Sequence, residues 1–178
     1  MKASFERENT QIALCGLACG LCPMHVDHYC PGCGGGLGNQ VCKIARCSQT
    51  KPNVAYCFEC EHYPCDQYLG FNQSDSFISH LNHHDNLMRI KHEGLDVLNE
   101  EINMKRLILD DLLSNFNDGR HKRFFCLAVN LLSLKDISEV MISLSEYNEV
   151  DVKIKAKLAK ERFMEIAHKQ GLVLNLRK

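Results

Sequence analysis

Ten of the eleven cysteines lie in one stretch, in the order Cys15, Cys19, Cys22, Cys30, Cys33, Cys42, Cys47, Cys57, Cys60 and Cys65; Cys126 stands alone downstream. Three C-x-x-C pairs recur: Cys19 with Cys22, Cys30 with Cys33, and Cys57 with Cys60. Each puts two sulfurs on one tight turn whose backbone N–H groups point at them, an arrangement that zinc knuckles and ribbons reuse. Cys42 with Cys47 and Cys60 with Cys65 are looser pairs, and Cys15 precedes Cys19 by four positions. Gly16, Gly20, Pro23, Pro31, the run Gly34–Gly36 and Pro64 fall in the gaps and favour turns over long regular elements.

Ten cysteines serve five disulfides in an oxidising compartment or metal ligation in a reducing one. Glu6, Arg7, Glu8 and Asn9 stand where a secretion signal carries an apolar stretch, so a cytoplasmic location is expected. All ten cysteines from Cys15 to Cys65 are therefore candidate metal ligands, most simply in two tetrahedral zinc sites using eight of them. Spacing leaves the pairing open. Neighbours close locally, Cys19/Cys22 with Cys30/Cys33 and Cys42/Cys47 with Cys57/Cys60, or the pairs cross. His25, His28 and His62 lie close enough in sequence to replace a thiolate, although surplus cysteines make surface roles the simpler reading.

A zinc ion closed by four protein ligands keeps no position for water, so structural zinc argues against hydrolysis and no catalytic residue is assigned. The alternative is an iron–sulfur cluster in electron transfer. Cys15-x3-Cys19-x2-Cys22 has the spacing by which radical enzymes that cleave S-adenosylmethionine hold a cluster, and Pro23 follows Cys22 as in ferredoxins. Too little chain follows for the barrel of such an enzyme, which leaves a simple cluster carrier.

The four cysteine blocks resemble a known family. Cys15-Gly16-Leu17-Ala18-Cys19-Gly20-Leu21-Cys22-Pro23, Cys30-Pro31-Gly32-Cys33, Cys42-Lys43-Ile44-Ala45-Arg46-Cys47 and Cys57-Phe58-Glu59-Cys60-Glu61-His62-Tyr63-Pro64-Cys65 are similar, block by block and in order, to the prokaryotic cysteine-rich family designated domain of unknown function 3795. The resemblance covers roughly residues 13 to 68. It implies a small domain presumed to bind zinc, and no catalytic residue to carry over. The gap from Cys33 to Cys42 is short and glycine-rich beside that family's longer insertions.

Composition limits the partners. A net charge of −1 is spread evenly on both sides of residue 70, and zinc–thiolate sites would add negative charge, so nucleic acid is not an expected partner. No run of eighteen apolar residues exists, so no membrane-spanning helix is expected. A protein partner fits better, with Tyr29, Tyr56, Phe58 and Tyr63 either a recognition surface or the small core of the module. His80, His83 and His84 with Asp85 share one helical face; solvated histidines near a helix end are the plainer reading beside a metal face. His121 and Cys126 lie too close in a buried segment for a nucleophile and base, and Cys126 reads as a small core residue.

These features must be positioned by two kinds of chain. Residues 1–70 carry few large apolar side chains, among them Leu14, Leu17, Leu21 and Ile44, a core thin enough to need metal support. Residues 71–178 carry helical patterns: one begins near Ser76 with Ser74 and Asp75 as caps, one runs from about Asn99 to Phe116 and stops at Asn117-Asp118-Gly119, one is capped by Ser133 with Asp136, and one runs from Asp151 to Gly171. Phe124 to Leu131 reads as a buried strand or, nearly as well, a buried helix. Leu172, Leu174 and Leu176 alternate with Val173, Asn175 and Arg177 as its partner. The expected fold is α+β and mostly helical: a cysteine-rich zinc module at 1–70, then an α-rich domain at 71–178 with short strands near 123–132 and 172–177.

Overall fold

A computed structural model describes residues 5–36, 42–147 and 149–178. Among them seven α-helices run in chain order: α1 (Pro23–Val26), α2 (Lys43–Ser48), α3 (His83–Glu93), α4 (Leu95–Asn115), α5 (Lys122–Leu131), α6 (Leu134–Leu144) and α7 (Val152–Lys169). Short 3-10 turns occupy Cys19–Leu21, Cys57–Glu59, Asp66–Tyr68 and Ser145–Tyr147. The only strand-like pairing among the described residues is an isolated antiparallel bridge between Glu6 and Gly35. The expected α+β class is thus corrected: the described chain is all-helical and has no sheet.

Both expected strands fail for physical reasons. Residues 123–132 are α5 and its cap, and every residue from Phe125 to Leu132 is buried. A segment buried all round has no polar face to show its period, so alternation and helix look alike. The helix wins because it pairs its backbone groups locally, as in Phe125 N–H to His121 O at 2.9 Å, and needs no partner strand. Residues 172–177 then have no strand to pair with. They form an irregular tail with a tight turn from Asn175 N–H to the Val173 carbonyl, and Val173 is exposed.

The helix expected near Ser76 begins instead at His83. Asp75 is committed elsewhere: its carboxylate accepts from the Arg177 guanidinium at 2.6 Å, the Arg177 backbone N–H at 2.8 Å and the His80 N–H at 2.8 Å. The capping signals downstream act where the sequence puts them. Ser133 Oγ accepts from the Asp136 N–H at the start of α6, and Asp151 from the Lys153 N–H at the start of α7. Gly94 separates α3 from α4, so the helix expected from Asn99 starts a turn earlier, at Leu95.

The helix α4 is the axis of the molecule and packs on α3, α5, α6 and the turn Cys19–Leu21. Its Leu98, Ile102, Leu109 and Leu112 are buried in one core that also holds Phe125 and Val129 of α5, Ile137 and Leu144 of α6, and Phe163 of α7. Ile12, Leu14 and Leu21 from the cysteine segment are fully buried in the same core. Burying such side chains is worth about 1.5–3 kcal/mol each, so the helices supply apolar surface that the cysteine segment lacks.

The Asp75–Arg177 clamp has a pH signature. Burial pushes the Asp75 carboxyl up, but hydrogen bonds from the Arg177 side chain and from the His80 and Arg177 N–H groups, with the Arg177 charge, hold it down at about 2. A carboxyl depressed in the folded state stabilises the fold above its unfolded pKa near 4, and that contribution is lost as pH falls through about 2. Asp75→Asn is expected to cost about 2 kcal/mol at pH 7. Urea melts from pH 6 to pH 2 should show a shallower loss of stability in the variant than in the parent.

Candidate metal centre

Turns position the thiols. Cys19 opens the turn Cys19–Leu21, and Cys22 is the N-cap of α1, with its carbonyl accepting from the His25 N–H at 2.9 Å and the nearby Met24 and His25 backbone favouring its thiolate. His25 Nδ1 donates to the Cys30 carbonyl at 3.0 Å, closing the loop between the first two C-x-x-C pairs. Cys42 is the N-cap of α2 and Cys47 sits in its last turn. Cys57 opens the turn Cys57–Glu59, Cys60 closes it, and Cys65 caps the turn Asp66–Tyr68. Arg7 ties this irregular segment together, donating to the carbonyls of Asn9 and Ile12 at 2.8 Å and of Ala55 at 3.1 Å, with its guanidinium 4.9 Å from the centre of the Tyr56 ring.

The thiols sort into two sets. Cys15, Cys19, Cys22, Cys30, Cys33 and Cys42 line one cleft of about 290 Å³. Cys47, Cys57, Cys60 and Cys65 line a second space of about 30 Å³ together with Leu14 and Tyr68. Cys42 and Cys47, a pair by spacing, belong to different sets because α2 holds them apart. Five residues of helix advance roughly 7.5 Å, about twice the sulfur–sulfur separation of a tetrahedral zinc site. All eleven cysteines are free thiols. Among the described residues no three His, Cys, Asp or Glu side chains are gathered tightly enough to hold a metal ion as they stand.

Both sets gather thiols in surroundings that disfavour a free thiolate. Burial, with the charge of neighbouring thiolates added, pushes Cys15 and Cys19 well above the usual thiol range, and burial pushes Cys22 and Cys33 up. In the second set burial, with charge from Cys65, Cys47 and Cys60, raises Cys57 to about 11. Thiols in such surroundings stay protonated unless a cation compensates the thiolate charge. The buried Tyr68 hydroxyl has no hydrogen-bond partner, although the Cys57 sulfur is near enough to act on it electrostatically. A metal-bound thiolate accepts from a phenol far better than a neutral thiol does, so a cation at the second set would satisfy that orphaned group.

The histidines do other work than ligation. His83 is buried, donates from Nδ1 to the Cys15 carbonyl at 3.2 Å, and stacks on Tyr68 with ring centres 5.4 Å apart. His80 stacks on Phe71 at 4.3 Å and bonds the Phe71 carbonyl, while His84 pairs with the Tyr63 hydroxyl at 3.1 Å. The expected solvated reading holds for His84, which is exposed, but not for buried His83; His83 and His84 join α3 to the cysteine segment through contacts with Tyr68 and Tyr63. His62 is exposed beside Glu61. Tyr56 is buried, Tyr29 is exposed, and Phe58 and Tyr63 are half-buried, so these four form no single surface. Cys126 is buried in α5, and burial raises its thiol to about 12. His121 pairs with Asp118 at 2.8 Å. Sequence reasoning missed Arg7, Tyr68 and Phe71, whose only signal was an arginine and two aromatics flanking the cysteine blocks.

No family model, curated protein or solved structure matches the chain.

The docking of Cys15–Gly16 on α3 is tightly specified. Asn86 Nδ2 donates to the Gly16 carbonyl at 2.8 Å, and a Cβ on Gly16, whose φ is +91°, would stand 2.0 Å from the His83 carbonyl oxygen. Gly16→Ala is expected to cost at least about 2 kcal/mol by thermal melting. Gly119→Ala, with a similar φ of +88° but open space around it, should cost about half as much.

Proposed function

We propose that residues 15–65 form a zinc-binding module in which the metal is structural and the assembled surface serves a protein partner or a regulatory role. The observation that carries this is the sorting of all ten thiols of the segment into two sets, each around its own space. The orphaned Tyr68 hydroxyl near Cys57 supports it, because outer donors of this kind orient and stabilise bound thiolates. The resemblance of the four cysteine blocks to domain of unknown function 3795 points the same way. Zinc supplies an apparent ~10–16 kcal/mol of folding energy in small finger peptides, which suits a segment with so few large apolar residues. Four thiolates per ion leave no position at which water is activated, so binding rather than hydrolysis is the role.

Elemental analysis and a visible spectrum of protein purified without oxygen test this. A colourless protein with at least two zinc ions per chain is expected. Its stripping by a chelator should lower the melting temperature by about 10 °C or more, roughly 3 kcal/mol for a chain of this length. Cys57→Ser should lose zinc. Brown protein containing iron and sulfide would replace this reading with the iron–sulfur alternative, and unchanged zinc and melting in Cys57→Ser would refute it.

A further inference from the structure

A cavity of about 220 Å³, lined by none of the ten clustered cysteines, lies where the cysteine segment, α5 and the C-terminal tail meet. Leu21 and Pro23 wall it on one side, Phe77 and Ile78 come from the loop before α3, and Leu176 comes from the tail. These walls are held in place. The Asp75–Arg177 clamp joins the residue directly before Ser76 to the residue directly after Leu176, and the Asp75 N–H donates to the Arg177 carbonyl at 2.9 Å. Ser76 Oγ, a polar group of the lining, is spent on His80 Nε2 at 3.1 Å.

Charge at the cavity is one-sided. Arg123, Cys126 and Leu127 line it from one face of α5, at i, i+3 and i+4. Arg123 is exposed and Cys126 is only 2% exposed, so this wall runs from a charged rim to an apolar interior, where Cys126 packs as a small hydrophobe. Among the described residues no Asp or Glu lines the cavity, and Arg123 has neither an ion pair nor a hydrogen bond. Its neighbours are committed: Lys122 pairs with Asp27, and Arg177 with Asp75.

An apolar cavity with one unmatched guanidinium at its rim suits an anion with an apolar body. That guanidinium balances the single charge of a carboxylate, with two parallel hydrogen bonds, and falls short of the nearly two charges of a phosphate monoester. Volume limits the body. An apolar cavity of about 150 Å³ encloses benzene, so about 220 Å³ holds roughly six to eight carbons. We propose that this cavity binds a small apolar monocarboxylate, with its body among Leu21, Phe77, Ile78, Leu127 and Leu176 and its carboxylate on Arg123. The occupant touches both the cysteine segment and the helical half, so binding braces the two against each other.

Titration calorimetry of the full chain with octanoate, and with octanol as the uncharged chain of the same length, provides the test. One octanoate per chain is expected, bound saturably. Arg123→Gln should weaken octanoate about tenfold and leave octanol unchanged, because only the charge-assisted pairing is lost. Cys126→Met, which fills the interior with a flexible apolar side chain, should abolish binding of both, with thermal melting as the check on folding. If Cys126→Met does not fold, the comparison of octanoate with octanol in Arg123→Gln still decides. No saturable octanoate binding, or binding that Arg123→Gln leaves unchanged, overturns the carboxylate site. Neither result bears on the zinc module, whose test is metal content.

Discussion

Crowded thiols in a low-dielectric interior are the constraint around which the first third of the chain is arranged. A thiolate is stable there only beside a cation or a dense set of hydrogen-bond donors, and six thiols share one cleft while four share a small space next to it. The chain meets this with backbone rather than bulk. Short 3-10 turns and helix starts place the cysteines, and Arg7 both ties the loops together and brings positive charge to Cys33. Zinc at the two sets, as proposed, would supply the remaining charge and join segments otherwise connected by turns.

Such a segment cannot bury enough apolar surface for itself, and the helices provide the rest. Ile12, Leu14 and Leu21 enter the core built on α4, so the cysteine segment and the bundle share apolar surface. The polar part of the contact is specific. His83 bonds the Cys15 carbonyl and Asn86 the Gly16 carbonyl, at a place where Gly16 lets the two backbones approach without a Cβ between them. Tyr68 lies between these layers, with its ring on His83 and its unpartnered hydroxyl near Cys57. Position in the cysteine segment and packing in the helices are therefore mechanically linked, which is how an ion bound to the one would influence the surface of the other.

Much of the helical half was legible because its signals are local. Ser133 with Asp136, Asp151 before α7, and Asn117-Asp118-Gly119 after α4 act within three or four residues of themselves, and the structure uses them as read. Asp75 looked like a cap by the same rule and is not one, because Arg177, a hundred residues away, takes its carboxylate. Phe125 to Leu132 was ambiguous for a different reason: a segment buried on all sides carries no periodic contrast between faces.

The sequence by itself determined which residues are candidates for metal chemistry, since the C-x-x-C spacing imposes a turn that sets two sulfurs side by side whatever surrounds it. It also determined the end of α4, the start of α6 and both ends of α7, through signals that need only their near neighbours. Tertiary structure alone decided that Cys42 parts from Cys47 across α2, that His83 and Tyr68 serve the docking of α3, and that the chain has no sheet among its described residues. Those outcomes depend on how far apart a helix holds two side chains and on which distant group reaches a backbone or carboxylate first. Neither quantity is encoded in local spacing.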